Sequence, residues 1–325
     1  MYAIEVEGLS KNYYPNKTGK YAGLGQLSSD GETVEGVTFN VDKGEIFGII
    51  GPDGAGKTTL FRLLTTLLTP NTGTAKVDGF DVMTDLKEIR QRVGYMPGKF
   101  SLYQDLAVEE NLQFFATVFN TTIEENYALI KDIYQQIEPF KTRRAGKLSG
   151  GMKQKLALSC ALIHKPSVLF LDEPTTGVDP VSRKEFWGML RKLKEQGITI
   201  IVSTPYMDEA FLCDRIGLIQ QGLFLQIDTP QGIIDHFAHT LWAVQSNNMS
   251  KLLTDLRRHP AIDTCFAFGN VHHVTVSKPE LTTSELKDYL TEIGHEDIEI
   301  QAIQAGIEDC YMQLARKDNS RTNND

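Results

Sequence analysis

Short, solidly apolar runs alternate along this chain with segments whose apolar residues recur at helical spacing. Glu45–Ile50 and Val168–Leu171 lack any inside–outside alternation, which predicts strands buried on both faces, as in a parallel sheet. After the first run, apolar residues at Leu60, Leu63, Leu64, Leu67 and Leu68 mark one face of a helix. Lys87–Arg92 reads as a short helix closing a β-rich opening stretch. Residues 107–147 are helical in pattern, with Glu109–Ala116 followed by Glu124–Glu138, and residues 148–235 return to alternating strands and helices.

The pattern changes again near residue 239. Leu241–Gln245 predicts a strand and Ser250–Arg258 a helix capped by Ser250. Ile262, Thr264, Phe266 and Phe268 alternate on a second strand, and Gly269-Asn270 turns into a third over Val271–Ser277. Thr282 and Glu285 form a capping box for a helix through Ile293 that Gly294 closes, and Ile298 and Ile300 mark a last strand. The order βαββαβ predicts a small ferredoxin-like α+β domain over residues 239–315. Residues 316–325 read as a polar, disordered tail.

Candidate chemistry concentrates in the first part. Gly51-Pro52-Asp53-Gly54-Ala55-Gly56-Lys57-Thr58-Thr59 joins a buried strand to an amphipathic helix. The glycines let the loop curl so that successive backbone N–H groups face one anion, and the helix N-terminus adds free donors. Lys57 is placed to reach outer phosphates and the Thr58 hydroxyl to ligate Mg²⁺. Asp172 and Glu173 end the second buried strand, where α/β sheets hold their ligands. Asp172 is the candidate Mg²⁺ partner and Glu173 the candidate catalytic base for an attacking water. Leu148-Ser149-Gly150-Gly151-Met152 reads as a helix start, with Ser149 as N-cap and bare N–H groups at the glycines.

These pieces, in this order, resemble the ATP-binding-cassette family, and the resemblance runs from about residue 4 to residue 235. It implies a P-loop NTPase cassette over residues 1–238. Its parts are a RecA-like core, an antiparallel β subdomain and a helical subdomain at about 107–147. In the family, the Leu148–Met152 signature of one subunit covers the γ-phosphate held by the P-loop of another. Gly177-Val178-Asp179-Pro180 resembles the D-loop that crosses that interface, and Tyr13, in Leu9–Tyr14, the aromatic residue that stacks on adenine. ATP and Mg²⁺ are the implied cofactors. The implied partners are a second cassette, as homodimer or heterodimer, and an integral membrane permease meeting the helical subdomain, with Phe114, Phe115 and Phe119 as candidates for the docking groove. The last segment resembles the C-terminal extension of bacterial drug-exporter ATPases of the daunorubicin-resistance type, Gly306–Leu314 matching their closing motif.

Two positions depart from the family pattern. Gly98, in Gly94-Tyr95-Met96-Pro97-Gly98, stands where the Q-loop Gln is usual, and Pro205, in Ser203-Thr204-Pro205, where the switch His is usual. Neither offers a side-chain contact to a γ-phosphate, and Gln104 lies too late to substitute. The expectation is an ATPase that hydrolyses slowly through Glu173. The alternatives are a degenerate cassette that binds ATP and regulates a partner ATPase, or a soluble cassette outside transport.

Composition narrows the rest. A net charge of −9 argues against broad binding to nucleic acid or to an anionic membrane surface. No apolar run approaches the ~20 residues a bilayer span needs, and Met1–Glu5 is no basic, apolar leader. The place that the resemblance implies is cytoplasmic, peripheral on the cytoplasmic face of the inner (plasma) membrane. Cys160, Cys213, Cys265 and Cys310 lack metal-ligand spacing and read as reduced thiols. Ser/Gly/Lys-rich residues 15–33 read as a hairpin tip or loop, with Lys17 and Lys20 solvated. His272-His273 sits on a hairpin strand with one side chain expected in solvent.

Overall fold

In the computed structural model, residues 1–13, 22–27, 33–278 and 281–322 are described. Tyr14, Lys17, Lys20 and most of the 15–33 insert lie outside them. The chain divides into two compact units, Met1–Pro230 and Gln231–Asp325.

The first unit holds a six-stranded sheet in the order Leu223–Asp228, Arg215–Gln220, Ile46–Ile50, Thr199–Thr204, Val168–Asp172, Val93–Met96. All neighbours are parallel except the Leu223–Asp228 edge strand. Ile46–Ile50 and Val168–Asp172 are buried at every position, as their unbroken apolar runs require. Strand Thr199–Thr204 lies between them, pairing Ser203 with Asp172 on one side and Thr204 with Ile50 on the other. That register brings the ends of three strands to one edge. An antiparallel sheet built on Tyr2–Tyr13 pairs that strand with Ala22–Leu24, Val37–Asp42 and Thr72–Val77. Leu60, Phe61, Leu63 and Leu64 of the helix Lys57–Leu64 share one core with residues of both sheets, including Ile4, Phe39, Phe47 and Phe170.

That helix is shorter than its apolar spacing suggests. It stops at Leu64, Thr66 takes a left-handed φ of 61°, and Leu67 is exposed. The short second helix spans Leu86–Arg92. The helical segment carries Val108–Val118 and Ile123–Tyr134, which packs on the helix Gly150–Leu162. Thr122 and Glu125 cap the second of these reciprocally.

The second unit has the expected βαββαβ order, with strands arranged Ile262–Phe268, Val271–Val276, Leu241–Gln245, Glu299–Ala302, every pair antiparallel. Helices Met249–Arg258 and Thr283–Glu292 bury Leu252, Leu256, Leu286 and Leu290 against Trp242, Val244 and Val274. Thr282 and Glu285 do form the capping box.

Three expectations change here. Asn248, not Ser250, caps the first helix, accepting from the Lys251 N–H at 3.0 Å. Neither histidine of the pair points freely to solvent. His272 is buried against the Met249 carbonyl at 2.8 Å, and His273 meets Asp309 at 2.7 Å. Residues 316–322 are not a disordered tail, because the helix Ile307–Thr322 runs through them and Arg316 pairs with Asp263 at 2.9 Å; residues 323–325 lie outside the described ones. Polar composition hid an anchored helix. All four cysteines are buried and free.

Candidate functional site

The loop Gly51–Gly56 leaves the Ile46–Ile50 strand and enters its helix through Gly56, whose φ of 108° only glycine adopts without strain. Its Ala55 carbonyl accepts from the Gly222 N–H at 3.0 Å, and the Gly222 carbonyl accepts from Gly25 at 2.7 Å. The Gln221-Gly222 turn thus fixes the loop from outside, a buttress with no local signal in the sequence. Lys57 is 3% exposed, and its ammonium donates to the Gly51 carbonyl at 2.8 Å and the Pro52 carbonyl at 3.0 Å. Glu173 Oε1 lies 3.1 Å from the same nitrogen.

Behind the loop, the Thr58 hydroxyl donates to Asp172 Oδ2 at 2.8 Å and Ser203 Oγ donates to Asp172 Oδ1 at 2.6 Å. Asp172 is itself 3% exposed. A hydroxyl and a carboxylate oxygen converging beside this glycine loop are the hard oxygen donors Mg²⁺ takes, so the residues present fit that ion. Glu173 follows at a left-handed φ of 50°, a strained conformation for a side-chain-bearing residue.

A cleft of about 410 Å³ opens over this cluster, lined by Tyr13, Asp53, Lys57, Thr58, Thr59 and Glu173 among others. Gly54 and Gly56 line it too, whereas Gly51, Pro52 and Ala55 do not border it. The Tyr13 hydroxyl is 3.2 Å from Thr59 Oγ1, so the ring stands beside the helix start. Gly23, which carries no local sequence signal, also borders the cleft because Ala22–Leu24 pairs with the end of the Tyr13 strand.

The signature is elsewhere. Leu148 is buried, Ser149 and Gly150 are exposed, and none of Leu148–Met152 borders the cleft. Ser149 caps its helix as expected, accepting from the Met152 N–H at 3.4 Å. A Cβ on Gly151 would stand 2.8 Å from Ser182 Oγ, so this glycine permits the helix to approach the next one. Asp179 is also outside the cleft. It caps Pro180–Glu195 by accepting from the Ser182 N–H at 3.0 Å, and that bond lowers its carboxyl pKa.

A second concavity, about 270 Å³ and largely apolar, lies between strand Val93–Met96, the loop through Gly98 and the helices Val108–Val118 and Gly150–Leu162. Phe100, Phe115, Phe119 and His164 border it; Phe114 does not, packing on Tyr103 at its margin instead. The His164 ring stacks on Phe119 at 3.8 Å, and Nε2 meets the Val93 carbonyl at 3.1 Å. Burial drives its pKa down to about 4. Gly98 sits against the Asp172 carbonyl, 3.0 Å from where a Cβ would be. Gln104 is tied through its backbone to Gly146 and does not border the cleft.

Comparison with known proteins gives the family. Residues 34–176 match the family model described as ABC transporter. Nod factor export ATP-binding protein I of Burkholderia lata is 34% identical over 294 residues, 88% of this chain and 92% of its own length. The chain belongs to the ABC transporter family. The Escherichia coli protein named Probable multidrug ABC transporter ATP-binding protein YbhF is 44% identical over 199 residues, and the match spans 34% of that relative's length. The solved structure of cbiO1 from Clostridium perfringens, described as part of the ABC transporter complex cbiONQ, superposes with a TM-score of 0.60. It is 27% identical, covering 72% of this chain and 91% of its own. As in these ABC proteins, the cassette is a P-loop α/β core. Among the described residues no helix is long and apolar enough to cross a membrane.

Proposed function

We propose that this chain is the ATP-binding and ATP-hydrolysing subunit of an exporter, acting as a dimer on a separate membrane permease at the cytoplasmic face of the membrane. The observation that carries the reading is the convergence of Lys57, Thr58 and Glu173 on one cleft, with Asp172 bonded to Thr58 behind it, while Ser149 and Gly150 stand exposed outside it. One subunit supplies a phosphate cradle without a lid, and a lid without a cradle. Two such subunits, head to tail, complete each other, with Ser149–Gly151 of one over Lys57 of its partner and Asp179 at the seam. The direction of transport follows the export named for the relatives.

In this reading the backbone N–H groups of Asp53–Thr59 hold the phosphates and Lys57 the outer oxygens. Thr58 and Asp172 would hold Mg²⁺, which supplies charge neutralisation at the phosphates when bound. Tyr13 provides the face on which adenine stacks. Glu173 accepts the proton of the attacking water. The apolar groove bordered by Phe115, Phe119 and Phe100 receives the permease, and residues 239–315 form an accessory domain with no part in the chemistry. Steady-state turnover of the purified chain and of Glu173→Gln tests the core of it: at least a hundredfold loss is expected, and an unchanged rate removes Glu173 from the reaction.

Gly98 and Pro205 favour a second reading, in which the chain closes on ATP while a partner cassette turns over. Neither position has a side chain able to reach the nucleotide. Turnover by the chain alone separates the two.

A further inference from the structure

We propose that Ser203 is the positioning residue that sets both carboxylates of this site, acting through Asp172 on the Mg²⁺ position and through Glu173 on the water-activating position. The inference rests on the reading of the cleft as an MgATP site. Ser203 lies on the strand between the phosphate-loop strand and the Asp172 strand, directly across from Asp172 in parallel register and fully buried. Its single hydroxyl proton goes to Asp172 Oδ1 at 2.6 Å. That bond turns the other carboxylate oxygen, Oδ2, toward Thr58 at 2.8 Å, so one oxygen is spent on the sheet and the other presented to the loop. The same hydroxyl oxygen accepts from the Glu173 N–H at 3.0 Å, and the Ser203 carbonyl takes that N–H as well at 3.0 Å.

Those acceptors hold Glu173 in its left-handed conformation, which returns its carboxylate to Lys57 at 3.1 Å. Two residues later, position 205 is a proline with no donor to offer. The strand Thr199–Thr204 therefore acts on the site through Ser203. Replacing the hydroxyl frees Asp172 to rotate and leaves a buried carboxylate oxygen unpaired, the expensive kind of loss.

The test measures binding of a fluorescent ATP analogue to the full chain in excess EDTA and in excess Mg²⁺, alongside turnover. Ser203→Ala should bind within twofold of the parent in EDTA, lose about tenfold of the tightening that Mg²⁺ confers, and fall about tenfold or more in kcat. Ser203→Cys, closer in volume but a weak donor, should behave like Ala. Ser203→Thr, which keeps the hydroxyl, should recover most of both. Equal Mg²⁺-dependent tightening in Ser203→Ala and parent overturns the proposal. So does a variant that loses affinity equally with and without Mg²⁺, because the role is then only structural. If the parent itself gains nothing from Mg²⁺, the MgATP reading fails first and takes this inference with it.

Discussion

Neutralising Glu173 should tighten nucleotide binding even where no hydrolysis occurs. The Lys57 ammonium is 3.1 Å from Glu173 Oε1 and only 3% exposed, so phosphate oxygens that approach it must compete with that carboxylate. At this separation the attraction is about 5 kcal/mol gross for an effective dielectric near 20. Desolvation offsets much of it, leaving a net worth of about 1–2 kcal/mol. Glu173→Gln keeps the shape and removes the charge, and with it the carboxylate's repulsion of the phosphates. ADP should therefore bind about five- to thirtyfold tighter. Calorimetric titration with ADP in EDTA isolates the effect from turnover and from Mg²⁺. Equal or weaker binding by Glu173→Gln would show that the Glu173 carboxylate does not compete with phosphate for Lys57.

Restoring the usual side chains should accelerate turnover. Pro205→His combined with Gly98→Gln is expected to raise kcat by about 10²–10³, the usual worth of one positioned donor. The gain at position 98 is limited because its Cβ meets the Asp172 carbonyl at 3.0 Å, and an unchanged kcat would mean that neither position faces the γ-phosphate. Tyr13→Ala should weaken ATP binding by about 1–3 kcal/mol, the range for a base stacked on an aromatic ring, while Tyr13→Trp binds like the parent; equal affinity for Ala excludes stacking. Folding stability should carry a His164 signature. With its pKa lowered from 6.5 to about 4 by burial, the unfolded chain binds the proton first, so the contribution is complete above pH 6.5 and is lost as pH falls toward 4. Between about pH 7.5 and pH 5 that amounts to about 2 kcal/mol, and His164→Phe should flatten the urea-unfolding profile by that amount. A profile of unchanged slope would contradict it.

Much of the fold was legible because its signals are local. Unbroken apolar runs at Ile46–Ile50 and Val168–Leu171 require strands buried on both faces, and Thr282 with Glu285 states a helix start in four residues. The phosphate loop was legible for the same reason, since its glycines, Lys57 and Thr58 are consecutive. What escaped depends on register or on long-range docking. Ser203 is an ordinary strand serine until the parallel pairing puts it across from Asp172. Gly222 buttresses the loop from more than 160 residues away along the chain. The helix through Thr322 looked like a tail because its sequence is polar, while the residues that anchor it, Ile307, Cys310 and Tyr311, precede the polar stretch. Apolar spacing misled once, at Leu67, where the left-handed Thr66 ends the helix before the pattern does.

The central claim is that two chains complete each other's nucleotide sites, and the mass of Glu173→Gln in solution tests it most directly. By light scattering on a sizing column, the variant should run as a dimer with MgATP and as a monomer in EDTA. Adding Ser149→Arg, which places a bulky cation at the exposed signature cap, should return it to monomer without loss of nucleotide binding. A strictly monomeric Glu173→Gln saturated with MgATP, alone and on its permease, would contradict the account.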